Sequence, residues 1–152
     1  MIATARETIE AFNTADWDRL RALQAEDSVY SELGTLRQFQ GPDEFVEVMQ
    51  GWRAAFPDVE GTVTNAIASG NTVALEISWQ GTHTGPLESP GGTIPASGKA
   101  LVMSTQVIVF EGNKVKENRQ YFDSLTLLQQ MGVVLAEQEQ AESQVKKPSR
   151  FR

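Results

Sequence analysis

The sequence predicts an α+β domain in which helices pack on one face of a mostly antiparallel, strongly curved sheet. Three observations predict it. Apolar residues recur at helical spacing in two stretches before Phe56, then at every second position from Val59 to Phe122. Gly70-Asn71 and Gly112-Asn113 supply hairpin turns between the long alternating runs. After Asp123 the spacing turns helical again, through Leu125, Leu127, Leu128 and Met131.

Taken in order, residues 2–13 place Ile2, Ala5, Ile9 and Phe12 on one helical stripe. Thr14 is positioned to cap a short second helix over 15–23, whose first turn carries Asp16 and Asp18 against the positive helix end. "DSVYSELG" reads as a short strand. In "GPDEFVEVMQGWRAAFPD", Pro42 suits the first helical position and Asp43 and Glu44 complement the helix dipole. Phe45, Val48, Met49, Trp52 and Phe56 form its apolar face, and Pro57 helps end it. Strands are expected over 59–68, 72–83, 101–110 and 114–122, with "GPLESPGGTIPASGKA" as a long loop and a closing helix over 124–132. The domain is read as residues 1–135, followed by a polar tail, 136–152.

Bulk properties narrow the function. The chain has 152 residues, enough for one core. It has no run of eighteen apolar residues, so no membrane partner is expected. A net charge of −7 argues against nucleic acid. The absence of cysteine excludes thiol chemistry and fits a cytoplasmic location. The N-terminal stretch is amphipathic and lacks an apolar secretion core. With one histidine, His83, and no cluster of acids, no metal site is expected. Ser97 and Ser104 lack a nucleophile elbow, and the glycines of "GPLESPGG" lack a phosphate-binding setting.

The last hairpin predicts which side chains share a face. With Phe110 opposite Val115, partners sum to 225, so Gln106, Ser104, Arg119, Tyr121 and Asp123 lie together, with apolar residues nearer the turn. That suits a core opening into a pocket. The opposite face, with Met103, Val107 and Val109, suits a dimer interface.

"WRAAFPDVEGTVTNAIASGNTVALEISWQGTHTGPL", "IPASGKALV" and "VIVFEGNKVKENRQYFDSLTLLQQMG" together resemble the SnoaL-like polyketide cyclase family, over roughly residues 5–133. The resemblance implies the cone-shaped α+β barrel of the nuclear transport factor 2 superfamily, a deep apolar pocket and a homodimer. It implies proton transfer by a pocket aspartate during intramolecular aldol closure of a small or polycyclic hydrophobic carbonyl compound, without cofactor. Asp123 matches that aspartate by position and Gln106 a polar neighbour. The aromatic polyketide cyclases carry further pocket histidines, where this chain has only His83. Arg119 near Asp123 is also similar to the arginine–aspartate pairing of limonene epoxide hydrolases, with Asp27 and Asp58 as second-aspartate candidates. A hydrophobic-ligand-binding module without catalysis is the third reading.

Each candidate has a structural alternative. Asp123 is either the proton carrier, its pKa raised in an apolar hollow, or the N-cap of the closing helix. His83 is either a second acid/base group or a structural histidine bonding the following loop. Arg119 would stabilise an enolate or carboxylate. Gln106, Tyr121, Tyr30, Trp79, Trp52 and Phe56 are the expected substrate-binding residues, the aromatics serving otherwise as core.

Overall fold

The computed structural model describes residues 1–89 and 91–133. The expected tail, 136–152, and the domain boundary before it lie outside the described residues. The chain runs α1 (Ile2–Asn13), α2 (Trp17–Ala22), β1 (Gln24–Glu32), β2 (Arg37–Gln40), α3 (Gly41–Ala55), β3 (Glu60–Ser69), β4 (Thr72–His83), β5 (Leu87–Ser89), β6 (Gly92–Ile94), β7 (Gly98–Glu111), β8 (Lys114–Phe122) and α4 (Ser124–Gln130). Six strands form one sheet in the order β2-β1-β8-β7-β4-β3, and β5 and β6 pair separately. Only the β1–β8 neighbours are parallel among these pairs. The result is a curled, mixed half-barrel with helices against its concave face.

The helices dock through the stripes the sequence shows. Ala5 and Ile9 of α1 pack on Val73, Leu75 and Ile77 of β4 and Ile108 of β7. Phe45 and Met49 of α3 join Phe12, Leu20 and Tyr30 in a second cluster. Leu127 and Met131 close a third around Ala55 and Phe56. The α3 start is held by the Glu44 carboxylate, which accepts from the Gln40 N–H at 2.7 Å. Gly132, at φ 79°, stops the chain from continuing α4. Among the described residues no helix is long and apolar enough to cross a membrane.

Four expectations change. Thr14 does not cap α2: its hydroxyl donates to the Glu10 carbonyl at 2.9 Å, closing α1 instead. Ala15 then turns through φ 55°, and Asp16 caps α2 by accepting from Arg19 N–H at 3.0 Å. The short strand at "DSVYSELG" extends back to Gln24 and folds onto β2, where Arg37 pairs with the Glu32 carboxylate at 2.7 Å. The long loop contains the β5–β6 hairpin, and β7 begins at Gly98.

The fourth change decides the site. Phe110 faces Val115 as expected, but Val109 faces Glu117, so Lys116 is an extra residue and every later pair sums to 226. Gln106 therefore faces Gln120, Ile108 faces Asn118 and Ser104 faces Phe122. Beyond the bulge, the even-numbered residues Asn118, Gln120 and Phe122 turn to the concave face. Arg119 and Tyr121 turn outward. The cause is visible in the parity of the apolar residues: Val115 and Phe122 both pack inward, and residues of opposite parity share a strand face only if one extra residue intervenes. The bulge also spares Arg119 a costly burial. Lys116 instead bonds Asp27 on the surface.

Candidate functional site

A cavity opens between the helices and the concave face. Its wall is aromatic and aliphatic: Phe12, Phe45, Met49, Trp52, Phe56 and Trp79 are prominent. Gly61 lies opposite Trp79 in the β3–β4 pair. A Cβ there would sit 2.5 Å from the indole, so this glycine leaves room for the ring that forms part of the wall. The Trp79 Nε1–H is satisfied by Ser104 Oγ at 2.8 Å, and Phe12 meets the ring edge-on at 5.4 Å.

The polar part of the wall is a row of amides. Asn118 Nδ2 donates to Gln106 Oε1 at 3.3 Å, and Gln106 Nε2 donates to Gln120 Oε1 at 2.8 Å. The Tyr30 hydroxyl continues the row, 3.3 Å from Gln120 Oε1 and 3.4 Å from Glu32 Oε1. Glu32 is 1 % exposed. Its carboxylate accepts from Trp52 Nε1 at 2.7 Å, Thr35 Oγ1 at 2.8 Å and Arg37 Nη2 at 2.7 Å. Four side chains thus converge on one buried charge, which anchors Trp52 and Tyr30. Burial pushes the Tyr30 hydroxyl well above its ordinary pKa, and the Glu32 charge adds to this, so Tyr30 serves as a neutral hydrogen-bonding group. Among the described residues no ionisable side chain lines the cavity; its polar members are Thr8, Gln80, Gln106, Asn118 and Gln120, with the indoles.

The expected site residues therefore divide. Trp52, Phe56, Trp79 and Gln106 line the cavity, and Tyr30 stands directly behind Gln120. His83 is buried in a layer behind Phe56, stacked on that ring at 5.0 Å, with Ser97 Oγ 2.9 Å from Nδ1. Burial pushes its pKa below the ordinary value.

Tyr121, Arg119 and Asp123 are not brought to the cavity. Tyr121 is 45 % exposed, and Arg119 pairs with Glu117 at 2.8 Å instead of Asp123. Asp123 is exposed and caps α4. It accepts from Thr126 Oγ1 at 2.6 Å and Thr126 N–H at 3.1 Å. Those bonds, hydroxyl first, hold its pKa below the usual carboxylate value, opposite to the direction expected in an apolar hollow. It borders a shallow surface depression with Glu76, Met103 and Thr105. Of the second-aspartate candidates, Asp27 pairs with Lys116 and Asp58 accepts from Thr82, so neither faces Asp123. Among the described residues, no cluster of three or more His, Asp or Glu could hold a metal.

Sequence reasoning missed Asn118, Gln120 and Glu32. The first two follow from the Val115–Phe122 parity. Glu32 shares the parity of Tyr30, and its burial depends on Arg37, whose strand carried no recognised pattern.

A family model for SnoaL-like polyketide cyclases matches residues 2–131. No curated protein matches. Among solved structures, IdmH from Streptomyces antibioticus, a proposed polyketide cyclase, is 28 % identical over 86 % of this chain and 97 % of its own, with a TM-score of 0.72. AclR from Streptomyces galilaeus, a proposed hydroxylase, is 25 % identical over 86 % of this chain and 83 % of its own, also at 0.72. A Catenulispora acidiphila protein of ketosteroid isomerase-like fold is 18 % identical over 86 % and 92 %, at 0.73, and shares the fold. By the extent of the family match, supported by this architecture, the chain belongs to the SnoaL-like polyketide cyclase family.

Proposed function

We propose that the cone binds an uncharged, mostly apolar carbonyl compound of polyketide type and promotes its ring closure or isomerisation. One observation supports this above the others: the cavity wall is apolar, and its hydrogen-bonding groups are neutral amides fixed in a row. A charged substrate would lose its hydration there without a counter-charge. A neutral one loses little. Catalysis at such a wall rests on holding two reacting carbons of one molecule together and on donating hydrogen bonds to the attacked carbonyl oxygen as it gains charge, while water takes the proton from the α-carbon and returns one to the alkoxide that forms. Asp123, in this reading, caps a helix and carries no proton for the reaction.

The test uses a flexible diketone capable of internal aldol closure, followed by cyclised product and by quenching of Trp52 and Trp79 fluorescence. Saturable quenching and turnover, both unchanged in Asp123→Asn, support the proposal. A rate that rises with a carboxylate titration and vanishes in Asp123→Asn overturns it. Quenching without turnover favours the binding module, a reading that the uncharged wall also supports. For the assembly, we propose a homodimer through the convex face, where Met103, Tyr121 and Ile67 are exposed at 54 %, 45 % and 60 %.

A further inference from the structure

The amide row leaves two hydrogen-bonding groups unused at the cavity. Asn118 is 3 % exposed and lines the wall, yet its Oδ1 is shielded from solvent and has no hydrogen-bond partner. A bare buried acceptor is costly, so its position calls for a donor that arrives with a ligand. At the other end, Gln120 uses its oxygen twice, toward Gln106 and Tyr30, and its Nε2 takes no part in the row. Asn118 and Gln120 lie two residues apart on one face of β8, so their backbones are about 6–7 Å apart.

The orientation of the three amides is mutually determined. Turning one alone would set nitrogen against nitrogen or oxygen against oxygen. Turning all three together exchanges the roles: Asn118 then offers N–H and Gln120 offers C=O. In either sense the wall presents one donor and one acceptor, never two of a kind.

From this we propose that Asn118 and Gln120 select a ligand carrying both a hydroxyl and a carbonyl on a rigid apolar frame, separated by roughly a ring's width. The inference rests on the apolar-cavity reading above and specifies its substrate class. The hydroxyl is held at one amide and the carbonyl at the other. A dione of the same shape has no proton to donate and leaves the amide oxygen unpaired.

Calorimetry with three compounds tests it. 6-Hydroxy-1-tetralone carries both groups. Its methyl ether lacks the hydroxyl proton, and the corresponding tetralin phenol lacks the carbonyl. The hydroxytetralone is expected to bind about tenfold more tightly than either. In Asn118→Leu one of the two preferences shrinks to within about twofold and the other persists; in Gln120→Leu the surviving preference is the opposite one. Gln120 is only half-buried, so its variant carries the test if Asn118→Leu does not fold. Equal binding of all three compounds overturns the selection while leaving the apolar-cavity reading intact. So does a folded variant that loses both preferences or neither. No binding by any compound overturns both.

Discussion

Two carboxylates, Glu32 and Asp123, lie at opposite surfaces of the same sheet and show what position does to an acid. Glu32, at the end of β1, is buried and receives bonds from an indole, a hydroxyl and a guanidinium. Asp123, just past the end of β8, is exposed and bonded within its own helical turn. Glu32 stabilises the wall of the cavity without entering it. Asp123 starts a helix. The difference traces to a single bulged residue, Lys116, which turns Gln120 and Phe122 inward and sends Arg119 and Tyr121 outward. A register is thus a chemical decision: it determines whether the wall carries a cation or amides.

Substitution of Glu32 should break the comparison most severely. Glu32→Ala leaves Arg37, Trp52 and Thr35 without their acceptor and should cost about 3–5 kcal/mol in urea unfolding. Glu32→Gln should recover part of this, because the amide oxygen still accepts. His83→Ala, which empties the layer behind Phe56, should cost about 2–4 kcal/mol. His83 also gives a pH signature. Burial lowers its folded pKa, so the unfolded chain takes up a proton first as pH falls. Stability is full above the ordinary histidine value of 6.5 and is lost as pH drops below it; the variant should lack that slope near pH 6.

The effects at the convex end should be smaller. Asp123→Ala should lower Tm by only a few degrees, as a lost helix cap does, and leave ligand affinity unchanged. Its depressed pKa contributes stability above the ordinary carboxylate value of 3.8, lost as pH falls through the folded value. Arg119→Ala should change unfolding by less than about 0.5 kcal/mol, since its pair with Glu117 is half-exposed. If Asp123→Ala proves as damaging as Glu32→Ala, the contrast between the two acids fails.

Much of the architecture was legible in the sequence because burial writes a period. The α1 stripe and the Val73–Trp79 alternation record which faces meet the core, and both Gly-Asn turns fall where expected. Trp52, Phe56, Trp79 and Gln106 could be placed in the cavity for that reason. The site's polar wall was harder to read. The bulge marks the strand only through the opposite parity of Val115 and Phe122, and counting outward from the Gly112-Asn113 turn without it carried Arg119, Tyr121 and Asp123 to the wrong face. The neighbouring strand could not supply the register either. β1 lies parallel to β8, and a parallel neighbour remote in sequence has no turn from which to count. Glu32 was overlooked because a charge is read as exposed until its partner is known.

The register and the amide wall can be tested together by proton NMR of the side-chain amides. The Gln106 and Gln120 Nε2 protons should show cross-peaks with each other and with the Tyr30 ring, and none with Tyr121. Cross-peaks from Gln106 to the side chains of Arg119 and Tyr121, with Gln120 amide protons exchanging at the solvent rate, would contradict the bulged register and the neutral cavity built on it.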